Sequence, residues 1–481
     1  VRLSRLLEGV ALETSRVSQD IEITSLSYDT RKMTAGALFV ALPGYKTDGH
    51  KFIAQAMNLG AVAVLCEKEP EWDGPWMTTA DARAALAVLS ANWFCHPTRS
   101  LVSVGGTGTN GKTTTTYLIK AMLEGALGAK VGLIGTNQNM IGTETLPAER
   151  TTPESYEIQA LCRRMVDAGC THLVMEVSSH ALTLNRVDGI RFAAGVFTNL
   201  TQDHLDYHGT MQEYRKAKGL LFRQCDLAIL NLHDEGGRYY ANTAPCPKFT
   251  YSENKDEANL VAKNIRLFPG HVEFEAVAVN TIGRIHLGIP GGFTIYNALA
   301  AIACGLNLGL PLGKISEALR SARGVRGRVE VVPVPALYTV IIDYAHTPDA
   351  LENILTTVRA FTAGKLLCLF GCGGDRDRSK RPIMGAVASD LSDLVIVTSD
   401  NPRTEVPGVI IGDILAGIPK EKSSSVLVEP DRRAAIRLAL SKGQPGDVIV
   451  LAGKGHETYQ EINGEKFHLD EREEVEAFFL K

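Results

Sequence analysis

The sequence contains no Cys-x-x-Cys pair, no apolar run near the roughly 18 residues that cross a bilayer, and little net charge. Each absence removes a class of protein. Without metal-type spacing, the nine cysteines (66, 95, 162, 170, 225, 246, 304, 368 and 372) read as scattered buried or free thiols of a reducing compartment. Cys162, Cys170 and His172 are near one another in sequence, but their spacing fits no zinc finger. Without a spanning run, no membrane insertion is expected. The amphipathic N-terminal segment has no small-residue cleavage site after a hydrophobic core, so no signal peptide is expected and the chain reads as cytoplasmic. A net charge of -4 gives no reason to expect nucleic acid or an anionic membrane as partner. What remains is an ordinary globular composition, 45% hydrophobic and 22% charged, over 481 residues. That length suggests about three domains.

What is present is concentrated first in Leu101–Leu127, LVSVGGTGTNGKTTTTYLIKAMLEGAL. Val102–Val104 predicts a buried strand that breaks into a glycine-rich loop, Gly105–Gly111. A helix should follow, because Leu118 and Met122, Ile119 and Leu123 pair at i, i+4. Gly106, Gly111, Lys112 and Thr113 satisfy G-x-x-x-x-G-K-[ST] between a strand and a helix, the context that motif needs. Glycines let backbone N–H groups of Gly108, Thr109, Asn110, Gly111, Lys112, Thr113 and Thr114 face phosphates, and the helix N-terminus adds partial positive charge. Lys112 can reach β/γ oxygens, and the Thr113 hydroxyl can sit on Mg²⁺. A nucleoside triphosphate is the implied ligand.

Upstream, residues 1–97 alternate short strands (Ala37–Leu42, Ala61–Leu65) with turns and one helix (Phe52–Asn58). Ser27, Asp29 and Arg31 cluster there, a pattern that composition alone assigns to surface turns. Downstream of the loop, Val131–Ile134 and His172–Val177 predict strands. Glu176 interrupts an apolar run, where a carboxylate is either unpaired and costly or holding a cation. The end of a strand beside a phosphate loop is where a metal-binding acid belongs. The strand Gly195–Asn199 should break into a loop holding Asp203, His204, Asp206 and His208, and dense polar loops at strand ends commonly carry function. A helix over Met211–Gln224 follows, with Lys218 facing Tyr214 and Phe222 at i±4; spacing alone makes Lys218 a solvated surface lysine. Residues 250–290 alternate with period two, as in a small antiparallel sheet, and helices are expected over Ile295–Leu308 and Ser316–Ala322.

Residues 328–481 read as a regular α/β alternation. Polar segments follow the strands Thr339–Asp343, Lys365–Phe370, Leu394–Thr398 and Val448–Leu451, at the strand ends where open α/β sheets bind ligands. Gly371–Arg376 joins a glycine turn to Arg376, suited to a carboxylate or phosphate. Asp400, Asn401 and Arg403 offer a carboxylate, an amide and a guanidinium, a fit for an amino-acid zwitterion. Gly453 and Glu457 add an acceptor for an ammonium.

Taken together, SYDTRKMTAGALFVALPGYKTDGHKFI, GTNGKTTTT, RTTPES, MEVSSHALTLNRV, TNLTQDHLDYHG, DYAHTPDALEN, GCGGDRDRSKRPIMG, SDNPRTE and GKGHE resemble the Mur ligases over nearly the full length. The resemblance implies an α/β chain of three domains. These are a small N-terminal UDP-substrate domain (1–97), a central P-loop ATPase domain with a mostly parallel sheet (98–327), and a C-terminal Rossmann-like amino-acid domain (328–481). It implies ATP-driven addition of an amino acid to the D-Glu γ-carboxylate of UDP-N-acetylmuramoyl-L-Ala-D-Glu, by a monomer. Asp400-Asn401-Pro402-Arg403 matches the form that goes with meso-diaminopimelate; a lysine-adding or relaxed ligase is the alternative. By resemblance, Ser27 falls in the uridine-nucleotide segment, and Thr151, Thr152, Ser178 and Arg186 match muramoyl-dipeptide positions. Glu176 and Thr113 match ligands of one Mg²⁺, and His204 lies near the second. Lys218 matches the lysine carbamylated by CO₂, which reverses the surface reading from spacing. Asn297, Arg328, Asp343 and His346 match positions around ATP, while Arg376, Asn401, Arg403, Gly453 and Glu457 match the diaminopimelate pocket. Gly106 departs from the usual β-branched residue and is expected to loosen the strand end. A folylpolyglutamate synthetase shares GTNGK but not the N-terminal segment or DNPR. A catalytically inactive nucleotide-binding scaffold is disfavoured by intact Lys112, Thr113, Glu176, His204 and Lys218, and a GTPase switch by the missing N-K-x-D.

Overall fold

The computed structural model describes residues 1–44, 47–322 and 324–480, with the backbone alone at Asp206 of the polar loop. Two compact units divide the chain, Val1–Tyr251 and Ser252–Lys481.

The first unit holds two sheets. In the smaller, the strand order is Thr14–Ser15, Trp76–Thr78, Ala63–Cys66, Ala37–Val40, Ser25–Ser27, parallel except for the first pair. Its helix Ala82–Trp93 starts where the Asp81 carboxylate accepts from the N–H groups of Arg83 and Ala84. In the larger, Lys248–Ser252, Ala228–Asn231, Ala194–Phe197, Val102–Thr107, His172–Glu176 and Val131–Ile134 lie side by side in parallel. Two short antiparallel strands, Asn139–Ile141 and Glu144–Leu146, extend one edge. The helix Lys112–Leu127 buries Leu118, Ile119, Met122 and Leu123, the face anticipated by their spacing.

Two first-unit elements end differently from expectation. The Val102 strand does not break at Gly105 but runs to Thr107, because Gly105 and Gly106 are paired on both sides, to Met175 and Glu176 and to Gly195 and Val196. Gly106 therefore does not loosen the strand end. The helix expected over Met211–Gln224 is α-helical only to Gly219 and tightens into a 3₁₀ segment over Leu220–Gln224.

The second unit begins with the antiparallel strands Leu260–Leu267, Val272–Ala278 and Thr281–Leu287 and the helices Gly292–Asn307 and Leu312–Arg320. Its main sheet has the order Glu330–Val332, Thr339–Asp343, Val448–Ala452, Leu366–Phe370, Leu394–Val397, Val426–Val428, parallel except at the first pair. Apolar clusters cover both faces, which is why these strands read as continuous apolar runs rather than alternating ones. A hairpin, Tyr459–Ile462 with Glu465–His468, was not visible in the hydrophobic pattern, because its residues are half-buried or exposed throughout.

Arg432 ties this sheet together. Its side chain is wholly buried and donates to Glu471 Oε1 (2.9 Å), Ala452 O (2.8 Å) and Ser399 O (3.3 Å), so it joins a helix to two strand ends. A buried ion pair stripped of one partner leaves an uncompensated charge. Arg432→Ala is expected to cost about 3–5 kcal/mol, whereas the double change Arg432→Met with Glu471→Leu costs far less. Urea unfolding followed by far-UV circular dichroism tests this; equal losses in both variants would contradict it.

Candidate active site

In the first unit the site is built on the loop between Thr107 and Lys112. Gly108 (φ +151°) and Gly111 (φ +81°) take backbone conformations that side chains disfavour, and a Cβ on Gly108 would lie 1.9 Å from Thr198 Oγ1. The loop is clamped by the next strand end. Asn199 accepts from Thr109 N (2.9 Å, backbone) and Asn110 N (2.8 Å, side chain), and Thr198 Oγ1 donates to Asn110 O at 2.6 Å. Lys112 folds back over the cradle, donating to Gly108 O at 3.0 Å and Thr109 O at 2.9 Å.

Lys218 is the main correction to the reading from spacing. It is 1% exposed, its ammonium donates to the same Gly108 carbonyl at 2.8 Å, and it lies 4.4 Å above the Tyr214 ring. Burial, with Lys112 as a second positive charge nearby, pushes its pKa well below the ordinary lysine value. Helical spacing could not show this, because the phosphate loop that receives its ammonium is distant in sequence.

Glu176 is wholly buried and in register with Gly106 on the adjacent strand. It is not unpaired. Its carboxylate accepts from Thr113 Oγ1 (3.0 Å), Thr136 N (2.8 Å) and Thr136 Oγ1 (3.0 Å). Thr136, which sequence reasoning missed, also meets Thr151 Oγ1 at 3.0 Å. Its one signal was its place just after the Val131–Ile134 strand.

The other first-unit candidates converge on the same strand ends. Thr152 Oγ1 donates to Glu176 O (2.9 Å) and accepts from Ser178 N (3.1 Å), and Ser178 Oγ caps the helix Ser179–Thr183. Arg186 donates to Thr152 O at 3.1 Å and pairs with Glu154 at 2.9 Å. Glu154, also missed, is shared with Arg83 (3.1 Å) and Arg150 (3.0 Å). Beside it, Asp29, Arg31, Arg150 and Arg164 line a pocket of about 520 Å³. Ser27 does not line it; its hydroxyl donates to Asp29 O at 3.0 Å. His204 (φ +53°) starts the helix Leu205–His208, its ring 4.9 Å from His180 and 6.0 Å from Tyr214. His208 Nε2 lies 2.9 Å from Ser179 Oγ, bringing that loop against the Ser178 turn.

In the second unit, Asp343 accepts from Val329 N and Ala345 N, both at 2.8 Å; burial raises its pKa against the lowering effect of Arg328. Arg328 lies 5.2 Å over the Tyr344 ring, and His346 packs 4.6 Å from the same ring. Desolvation lowers the His346 pKa. Asn297 is buried on the helix Gly292–Asn307.

The strand ends of this unit enclose a pocket of about 390 Å³ lined by Arg376, Asp400, Asn401, Arg403, Gly453 and Glu457, with His346 and Lys380 on its wall. A Cβ on Gly453 (φ +113°) would lie 2.6 Å from Asp400 Oδ2. The acceptors expected to take an ammonium already hold one of the chain's own. Lys454, wholly buried, donates to Asn401 Oδ1 (2.9 Å) and Glu457 Oε2 (3.2 Å) and lies 3.7 Å from Asp400. Arg403 takes a left-handed backbone (φ +51°) that its side chain locks by donating to Gly374 O (2.7 Å) and Glu461 (3.2 Å). Arg376 is exposed at the rim.

Arg381, with no exposed side chain, donates to both Glu405 oxygens (2.8 and 2.9 Å), to Asp413 (2.9 Å) and to Gly373 O (3.3 Å), stapling the glycine loop to the Asp400–Glu405 loop. Those hydrogen bonds hold the Glu405 carboxyl down to about 2 from 4.5, and lower Asp413 as well. A depressed carboxylate contributes stability above its unfolded value and loses it as pH falls through the folded one. The melting-temperature gap between wild type and Arg381→Met is therefore expected to narrow as pH falls from 4.5 to about 2. A gap that does not change with pH would contradict this.

Comparison with known proteins adds what geometry cannot. The family descriptions "Mur ligase family, catalytic domain", "Mur ligase middle domain" and "Mur ligase, glutamate ligase domain" match residues 22–94, 107–305 and 327–455. The chain is 48% identical over 462 residues to the UDP-N-acetylmuramoyl-L-alanyl-D-glutamate–2,6-diaminopimelate ligase of Clostridium botulinum, covering 95% of each. It is 46% identical to the protein of that name in Caldanaerobacter subterraneus subsp. tengcongensis, covering 100% of this chain and 99% of that one. A solved structure of a UDP-N-acetylmuramoyl-L-alanyl-D-glutamate–2,6-diaminopimelate ligase superposes with a TM-score of 0.75 at 31% identity, covering 100% and 98% of the two chains. With three family matches in order and near-full-length identity of this size, the chain belongs to the Mur ligase family.

Proposed function

We propose that this chain is an ATP-dependent ligase that joins meso-2,6-diaminopimelate to the D-Glu γ-carboxylate of UDP-N-acetylmuramoyl-L-Ala-D-Glu. It would thereby build the tripeptide precursor of peptidoglycan. The observation that carries this reading is the identity of 48% over 95% of both chains with a relative of that named activity. The pocket formed around Asp400, Asn401 and Arg403 supports the choice of amino acid. A reaction on ATP and a UDP-linked substrate fits the bacterial cytoplasm, and the reading takes the chain as a monomer.

The N–H groups from Gly108 to Thr114, with Lys112, hold the ATP phosphates, while Asn297, Arg328, Asp343 and His346 hold the rest of the nucleotide. The D-Glu γ-carboxylate attacks the γ-phosphorus; a new P–O bond forms, the β–γ bridge breaks and ADP leaves. Lys112 offsets the charge that builds on the phosphoryl oxygens. Ser27 belongs to the uridine segment, and Thr151, Thr152, Ser178 and Arg186 orient the dipeptide carboxylate. A neutral amine of diaminopimelate then attacks the acyl carbon, and the tetrahedral intermediate expels phosphate. Arg376 and Arg403 take carboxylates of the amino acid, and Asp400, Asn401, Gly453 and Glu457 shape the pocket around it. The site must exclude water from the acyl phosphate.

The donor set at the phosphate loop fits a small hard cation. The Thr113 hydroxyl and the Glu176 carboxylate stand 3.0 Å apart at the strand end, and the buried Lys218, its amine driven toward the neutral form, is suited to add CO₂. Thr113, Glu176, carbamylated Lys218 and His204 would hold Mg²⁺, which when bound supplies positive charge to the phosphoryl oxygens.

Two outcomes test the reading. Sustained release of inorganic phosphate should require all three substrates, with L-lysine at least about 100-fold poorer in kcat/KM than diaminopimelate, because a guanidinium left without its carboxylate is costly. Equal rates with lysine would move the assignment to a relaxed-specificity ligase, and sustained phosphate release without both co-substrates would sink it. Lys218→Arg should lose more than about 100-fold in kcat, and wild-type turnover should fall in CO₂-depleted buffer and recover with bicarbonate. Turnover indifferent to bicarbonate, with no carbamate signal in ¹³C NMR, would remove the adduct.

A further inference from the structure

The antiparallel strands Leu260–Leu267, Val272–Ala278 and Thr281–Leu287 carry none of the residues assigned to ATP, substrates or Mg²⁺. Alternation along them sends Val272, Phe274, Ile285 and Leu287 into the core and leaves Glu273 and His286 on the outer face. Those two residues are directly paired across the strands. His271 joins them from the turn before the second strand. Its carbonyl accepts from Phe268 N at 2.9 Å, and its ring stacks on Phe268 with centroids 4.3 Å apart and planes 12° apart.

The three side chains aim at one point. Glu273 Oε1 lies 3.3 Å from His286 Nδ1 and 3.8 Å from His271 Nε2, and one ligand atom from each residue falls within 4.8 Å of the others. The two imidazole rings are 4.6 Å apart. An ordinary solvated strand pair would set one histidine beside one glutamate. Here two imidazoles converge on a single carboxylate oxygen, an arrangement in which two protonated rings would repel. A tetrahedral ion with bonds of about 2.0–2.1 Å spaces its ligand atoms by about 3.3 Å. The two separations to Glu273, 3.3 and 3.8 Å, are near that already and the third lies within 4.8 Å, so closing on an ion needs only side-chain adjustment.

We propose that His271, Glu273 and His286 form a binding site for a divalent transition-metal ion of the zinc class. Two imidazoles and one carboxylate suit Zn²⁺ and its first-row neighbours rather than Mg²⁺, which prefers oxygen ligands. The fourth position faces solvent and takes water. The ion clips the Phe268–His271 turn to two strands, and because it binds only the folded sheet it raises the stability of that sheet by mass action. None of this depends on the ligase assignment.

Cobalt is the probe. Untagged, EDTA-stripped full-length protein is titrated with Co²⁺ in excess Mg²⁺, and the visible d–d absorption of nitrogen-ligated Co²⁺ is followed. Wild type is expected to take up one equivalent in the low-micromolar range, with Zn²⁺ displacing it. His286→Ala and His271→Ala should each weaken uptake by more than about tenfold while keeping the wild-type far-UV circular dichroism spectrum. His271 lies in a turn outside the strands, so its variant carries the test if the strand variant is destabilised. Uptake unchanged in the His271 variant, or no d–d band below millimolar Co²⁺, would overturn the site.

Discussion

Two ammonium groups converge on one carbonyl oxygen: Lys112 and Lys218 both donate to Gly108 O, at 3.0 and 2.8 Å. Like charges that close are tolerated only if one gives up its proton or an anion joins them. Lys218 is the one enclosed by protein, so it is the one driven toward the neutral amine. The same constraint shapes the surroundings. Gly108 must be glycine because Thr198 stands against it, Thr198 and Asn199 hold the loop in place, and Tyr214 packs its ring beneath the Lys218 ammonium. Glu176 supplies the nearby negative charge, but through hydroxyl and amide donors that keep it satisfied. In the proposed reaction this is a preorganised electrostatic site, with its cost of assembly met by folding before substrate arrives.

The amino-acid pocket follows the same physics with different residues. Lys454 has no exposure, and the pocket neutralises it with Asn401, Glu457 and Asp400. Burial alone would raise the Asp400 pKa, but Lys454 and Arg432 outweigh it and hold the carboxyl below its ordinary value. Arg381 does the equivalent work one layer out, fixing the glycine loop against the loop that carries Arg403. The pocket is thus a lattice of satisfied charges whose shape is set before any ligand enters it.

The parts legible in the sequence were those governed by local rules. The apolar runs of both parallel sheets were found to within a few residues, because strands buried on both faces are continuous apolar segments. The phosphate loop was legible because glycine, lysine and threonine at fixed spacing have a local mechanism, though its strand runs on through Gly105 and Gly106 to Thr107. What was missed depends on contacts distant along the chain. Lys218 looked exposed because helical spacing says nothing about the phosphate loop that receives its ammonium. Thr136, Glu154 and Lys454 become visible only when Glu176, Arg186 and Asn401 are folded against them. His271, Glu273 and His286 were passed over for the same reason, since their convergence depends on strand register. The resemblance to the Mur ligases recovered Lys218, which spacing had assigned to the surface.

The central claim is that the phosphate loop activates the substrate carboxylate by phosphorylating it, so that one carboxylate oxygen leaves as phosphate. Turnover with the D-Glu γ-carboxylate labelled with ¹⁸O, followed by mass analysis of the inorganic phosphate, tests this most directly. The account predicts one labelled oxygen in each phosphate released alongside the new amide. Unlabelled phosphate accompanying amide formation would contradict it.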